Sequence, residues 1–132
     1  MSRKTLVQVV QHMRPGGIEK LALDLLMEPP VGSDAIIVSL EGEPESAFTA
    51  WPDLRAFADR IVFLRKRHGI DPSLPLKLAR LFRQVGARYI HTHHIGPLLY
   101  AGLACRLAGI KALVHTEHDA CLLYTSPSPR DA

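Results

Sequence analysis

The chain has 132 residues, of which 47% are apolar and 22% charged, and a formal charge of +3. That length buries a real core, and the composition excludes a disordered or low-complexity chain. The charge is mild and, apart from Arg65, Lys66 and Arg67, scattered, so the sequence gives no reason to expect a nucleic-acid partner, while an anionic small ligand is easily accommodated.

In chain order, "TLVQVVQH" (Thr5 to His12) is short and rich in β-branched residues, the pattern of a strand buried on both faces. "MRPGG" breaks it. From Gly17 onward Ile18, Leu21, Ala22, Leu25 and Leu26 recur at helical spacing until Pro29 and Pro30 stop the helix. "AIIVSL" (Ala35 to Leu40) is a second strand, followed by an "EGEPES" loop, and residues 46–58 read as a short helix carrying Trp51. "IVFL" (Ile61 to Leu64) is a third strand, and "RKRHGIDPS" after it reads as a solvated polar loop. Leu74, Leu78, Leu81, Phe82 and Val85 mark one face of a helix, with Lys77, Arg80 and Arg83 outward and Gly86 at its end. "RYIH" (Arg88 to His91) is a fourth strand. Leu98 to Ala108 is apolar almost all round, which predicts a buried helix, with Ala101, Gly102, Ala104 and Ala108 letting it approach a sheet closely. "KALVH" is a fifth strand ending in "TEHD".

Strands alternating with helices over the whole length predict an α/β domain with a Rossmann-like, doubly wound parallel sheet. Ligands of open α/β sheets bind outside the carboxyl ends of the strands. On that rule Gly16 and Gly17, Arg65 to His68, His93 and His94, and Thr116 to Asp119 share one rim. A glycine turn there lets backbone amides approach a phosphate at a helix N-terminus. The spacing is neither GxGxxG nor GxxxxGK[ST], so no dinucleotide fingerprint or Walker loop is present. Glu19 is read as a first-turn carboxylate favoured by the helix dipole. Alternation along a strand puts His91 and His93 on one face. An HxH pair joined by His115 and His118 could hold zinc. The commoner arrangement has His91 and His115 hydrogen-bonded to neighbouring backbone and the loop histidines in solvent. His118 could also exchange hydrogen bonds with a sugar hydroxyl or phosphate at neutral pH.

The last stretch, "CLLYTSPSPRDA", has no helical or strand period. Cys121 to Asp131 back-translates to a sequence resembling the adaptor of transposase-based library preparation. The expectation is therefore a native domain over residues 1–120 and a non-native tail over 121–132. Cys105 and Cys121 make no CxxC or disulfide framework, which suits a reducing cytoplasm, and Cys105 reads as a small buried hydrophobe. The first twelve residues, interrupted by Gln8, Gln11 and His12, do not read as a secretory leader. No run approaches the roughly 20 apolar residues of a membrane-spanning helix.

"VVQHMRPGGIEKLALDLL", then "IHTHHIGPLLYAGLACRLAGIKALVHTEHD", resembles the amino-terminal domain of the retaining family-4 glycosyltransferases of the GT-B fold. The resemblance runs in order from about Val7 to Asp119, with residues 41–60 vague. It implies the N-terminal, acceptor-side half of a GT-B enzyme that transfers a sugar from a nucleotide-sugar donor to a hydroxyl on a glycan or lipid-linked acceptor, with retention. Neither metal nor cofactor is implied. Gly16 and Gly17 would approach the donor diphosphate, His118 would contact the donor sugar at the reacting centre, and His93 and His94 would face the acceptor. The second, donor-binding domain is absent from the sequence, so the resemblance implies an inactive fragment of a polysaccharide or envelope-glycan enzyme, cytoplasmic or at the inner face of a membrane. Two other classes fit the residues: a zinc hydrolase built on the histidine clusters, and a non-catalytic sugar-phosphate-binding module.

Overall fold

The computed structural model describes residues 4–14, 16–28, 33–66, 69–93 and 95–116. Its elements are β1 (Lys4–Val10), α1 (Gly17–Met27), β2 (Ser33–Glu41), α2 (Pro44–Ala50), a 3-10 helix (Pro52–Arg60), β3 (Ile61–Lys66), α3 (Leu74–Gln84), β4 (Ala87–His93), α4 (Ile95–Ala108) and β5 (Ala112–Thr116). The five strands form one parallel sheet in the order β3-β2-β1-β4-β5. This is the doubly wound, Rossmann-like arrangement expected. Strands are added on one side of β1 and then on the other, so crossovers of a single hand place helices on both faces.

On one face α1 and the 3-10 helix bury Val10, Leu26, Ile37 and Leu54. On the other, α3 and α4 bury Val7, Val38, Leu78, Phe82, Ile90 and Ala101. The alternation along β1, with Val7 and Val9 in one cluster and Val10 in the other, is the period of a strand covered on both sides. Gly86 closes α3 with φ of +67°, a left-handed conformation that any side chain would strain. Cys105 faces the core, and burial pushes its thiol up to about 11. At pH 8 roughly a thousandth of it is thiolate, so native-state alkylation should leave Cys105 unmodified while urea makes it react, as peptide mass spectrometry would show.

Three expectations are corrected here. Residues 46–58 are not one helix: α2 and the 3-10 helix meet at Trp51, whose backbone is non-helical because Pro52 follows it. β4 runs on to His93, two residues past the expected end, because β5 pairs with it as far as His93↔Thr116. The helix read as buried all round is not: Ile95, Leu99, Leu103 and Leu107 of α4 are each more than half exposed. A helix laid on one face of a three-layer domain has only its sheet-facing side covered, whatever its composition.

Candidate functional site

The carboxyl ends of β1 and β4, adjacent in the sheet, are where the strand order reverses. α1 and α4 begin there. Gly16, in extended backbone, precedes α1 and brings no side chain to its first amides; the first helical bond is from Lys20 N to Gly16 O at 2.9 Å. The amides of residues 17–19 therefore lie in the unpaired first turn. Gly16 and Gly17 are both exposed. A Cβ at Gly16 would lie 2.6 Å from Glu19 Oε1, whereas at Gly17 nothing lies within 4 Å. Glu19 itself is 5% exposed and its Oε2 lies 3.3 Å from His12 Nδ1. The same ring nitrogen lies 3.3 Å from the Arg14 amide, which donates to it. The first-turn role expected of Glu19 thus has a partner that the sequence reading did not supply, His12, which lies two residues past the end of β1 and not within the strand as expected.

A second set of residues ties the strand ends together. Gln11 Nε2 donates to Glu41 Oε2 at 2.5 Å, and Glu41 N donates to Gln11 O at 2.9 Å. Glu41 Oε2 lies 3.8 Å from Lys66 Nζ, which also donates to the Gly69 carbonyl. The Lys66 ammonium lies 5.7 Å from the centre of the Tyr100 ring. Gln11 Oε1 fills the space where Gly96, in the first turn of α4, would carry a Cβ, at 2.6 Å. The ends of β1, β2 and β3 and the start of α4 are thereby linked by Gln11, Glu41 and Lys66, of which the sequence reading placed only Lys66 at the rim, as part of the Arg65 to His68 cluster. Their only signal in sequence was position: each closes or follows a strand.

The basic loop is also corrected. The Lys66 side chain is 5% exposed rather than solvated, while Arg65 Nε pairs with Glu43 Oε1 at 3.1 Å in the open. Arg65 has φ of +59°, a left-handed backbone that turns the chain at the end of β3. Arg67 and His68 lie outside the described residues.

The histidines do not converge. His91 and His93 share a face, with ring centres 4.3 Å apart. His115 is paired in register with Thr92 on the opposite face. Its Nδ1 lies 2.7 Å from Thr92 Oγ1, and His91 Nε2 lies 2.8 Å from Thr116 Oγ1, so each ring meets a threonine hydroxyl. His93 is fully buried, with Nε2 3.4 Å from Gln8 Oε1, and Gln8 in turn donates to the Ala22 carbonyl of α1. Among the described residues no three His, Cys, Asp or Glu side chains gather around a common point. His94 and His118 lie outside the described residues, as do Glu117 and Asp119.

Two hollows adjoin the rim. One, of about 920 Å³, lies between α1 and the 3-10 helix and is lined by Gly16, Gly17, Lys20, Trp51 and Phe57 among others. The other, of about 350 Å³, is lined by residues including His12, Arg14, Glu41, Glu43 and Ser46. The glycine turn thus joins the larger hollow, and the His12 end of β1 the smaller. A helix N-terminus opening between two hollows can receive an anion on its amides and a second reactant beside it.

The family model described as Glycosyltransferase Family 4 matches residues 15–131, which includes the stretch read from sequence as a foreign tail. No curated protein and no solved structure gives a significant match. The parallel sheet, the glycine turn after its first strand and a match over most of the length agree: the chain belongs to Glycosyltransferase Family 4.

Proposed function

We propose that this chain is the acceptor-side half of an enzyme that moves a sugar from a nucleotide-sugar to a hydroxyl of a glycan or lipid-linked acceptor, retaining configuration at the anomeric carbon. A further domain supplies the pocket for the nucleotide, and the natural setting is polysaccharide or envelope-glycan assembly at the cytoplasmic face of a membrane. The observation that supports this reading is the start of α1: exposed glycines, amides without a side-chain cap, and a hollow that opens at those glycines and runs between α1 and the 3-10 helix. Departure of a nucleoside diphosphate builds negative charge on its phosphates, and fixed N–H groups stabilise that charge without reorganising. His118 is the proposed contact to the donor sugar and His94 to the acceptor. His93, enclosed against Gln8, fits the support of the rim.

Gly17 offers a clean test because a methyl group there meets nothing in the protein. Gly17→Ala should leave folding unchanged or slightly improved, since alanine is the better helix residue. It should weaken uridine diphosphate, used as the probe, about tenfold, or about 1.4 kcal/mol. Calorimetry and amide-shift mapping by NMR read both quantities. Shifts confined to the opposite edge of the sheet, around Arg88 and Lys111, would sink the proposal.

A further inference from the structure

One ring nitrogen ahead of α1 stands between two partners that ask opposite things of it. His12 Nδ1 lies 3.3 Å from the Arg14 amide, which can only donate, and 3.3 Å from Glu19 Oε2, which as a carboxylate can only accept. A neutral ring with its hydrogen on Nε2 satisfies Arg14 and turns a lone pair toward Glu19. An imidazolium donates to Glu19 from Nδ1, gives up the amide, and cancels the charge of the carboxylate. These two states differ by one proton, which imidazole as a class exchanges near neutral pH. The His12 side chain is 31% exposed, so solvent supplies the proton.

Glu19 stands where this choice matters. It is the third residue of α1, almost fully buried, and its Oε1 folds back to 2.6 Å from the point where a Cβ on Gly16 would lie. A carboxylate with little water to screen it therefore sits beside the unpaired amides of the first turn, and it opposes a second anion that reaches them. Glycine at position 16 leaves it that room. Three other charged groups share the hollow with His12: Arg14 on the same connection, Glu41 of β2 and Glu43 ahead of α2. Glu41 is held by Gln11 and Lys66, and Glu43 pairs with Arg65 at 3.1 Å. Among the described residues, His12 is the group placed to offset Glu19.

We propose that His12 and Glu19 form a proton-linked pair that sets how tightly the start of α1 receives the diphosphate of the donor. An arriving diphosphate favours the imidazolium, because that state neutralises the carboxylate beside the incoming charge, and up to one proton passes from solvent to His12 with each anion bound. By reciprocity, a rise in pH that strips the proton weakens the diphosphate by the same factor. Both are positioning residues, acting on the turn and on its charge rather than on a reacting atom. The inference rests on the proposed placement of the donor at α1 and adds the regulation of that site.

Calorimetric titration of the full chain with uridine diphosphate, in two buffers of different ionisation enthalpy, reads affinity and proton uptake together. Above about pH 7 the diphosphate is itself almost fully ionised, so changes there belong to the protein. From about pH 7 to about pH 8.5 the affinity should fall roughly fivefold, with about half a proton taken up per anion at the lower pH. His12→Asn, which keeps a polar atom near the place of Nδ1 but cannot gain a proton, should bind at about pH 7 as weakly as the unaltered chain does at about pH 8.5, with no uptake. Glu19→Gln should move the other way, binding roughly threefold more tightly than the unaltered chain at about pH 8.5 and losing the pH dependence. A pair that only held the turn together would weaken binding in both variants and take up no proton. Circular dichroism checks folding, and the proton count of the unaltered chain decides the matter if a variant misfolds. Binding with less than about a tenth of a proton taken up, an unchanged pH profile in the folded variants, or weaker binding by folded Glu19→Gln overturns the inference alone. No binding of uridine diphosphate at all would remove the donor placement and this inference with it.

Discussion

Phe82→Ala should lower the free energy of unfolding by about 3–5 kcal/mol. Among the described residues Phe82 is the largest fully buried side chain, and it sits where α3 meets the sheet, in the cluster with Val38, Leu78 and Ile90. Truncation removes most of an aromatic ring from a layer clamped between five strands and two helices, so the walls collapse only partly and the cavity term adds to the lost transfer energy. For a single domain stable by about 5–15 kcal/mol, that is a large fraction of the total. Urea denaturation followed by circular dichroism measures it through the shift in midpoint at constant slope. Phe82→Leu, closer in volume, should cost less than about 1.5 kcal/mol. A loss below 1 kcal/mol for the alanine variant would mean that α3 is not seated as described.

Lys66→Met should cost about 3 kcal/mol, and the reason is electrostatic rather than steric. The Lys66 side chain is 5% exposed, and that of its partner Glu41, 3.8 Å away, is one-fifth exposed. Methionine keeps most of the stem packed near Tyr100 but leaves the Glu41 carboxylate, among the described residues, with the neutral amide of Gln11 as its side-chain partner. Removing one member of a buried pair is costly mainly because the other stays charged in a poor environment. The partial exposure of Glu41 holds the figure to the low end of the range. Lys66→Met/Glu41→Gln should recover part of the loss, with a coupling of at least about 1 kcal/mol in a double-mutant cycle. Strict additivity would show that the two groups do not act as a pair.

Both experiments bear on the same edge of the molecule. α3 starts near the end of β3, where Lys66 is turned inward, and α4 starts at the end of β4, where Gly96 admits Gln11. Packing beneath and polar links above hold the helix starts in place, which is what a site for a charged reactant requires of its scaffold.

What the sequence determined by itself is everything that depends on neighbours a few positions apart. The β-branched run at Thr5, the helical spacing from Leu74 to Val85 and the glycine turn between β1 and α1 are local patterns, and a local pattern follows from backbone sterics and the period of one face. The alternation of those elements was also enough for a parallel sheet, because parallel strands need crossover connections. The tertiary structure alone decided which residues separated by 23 to 85 positions touch: Gln8 with His93, Glu41 with Lys66, His91 with Thr116, and His115 with Thr92 on the other face. Composition suggested that α4 is enclosed and that Lys66 is in solvent, and both were wrong for one reason. Burial depends on what the fold lays against a side chain, and an apolar residue on an outer face, or a cation beside a strand-end carboxylate, carries no mark of that in its own segment.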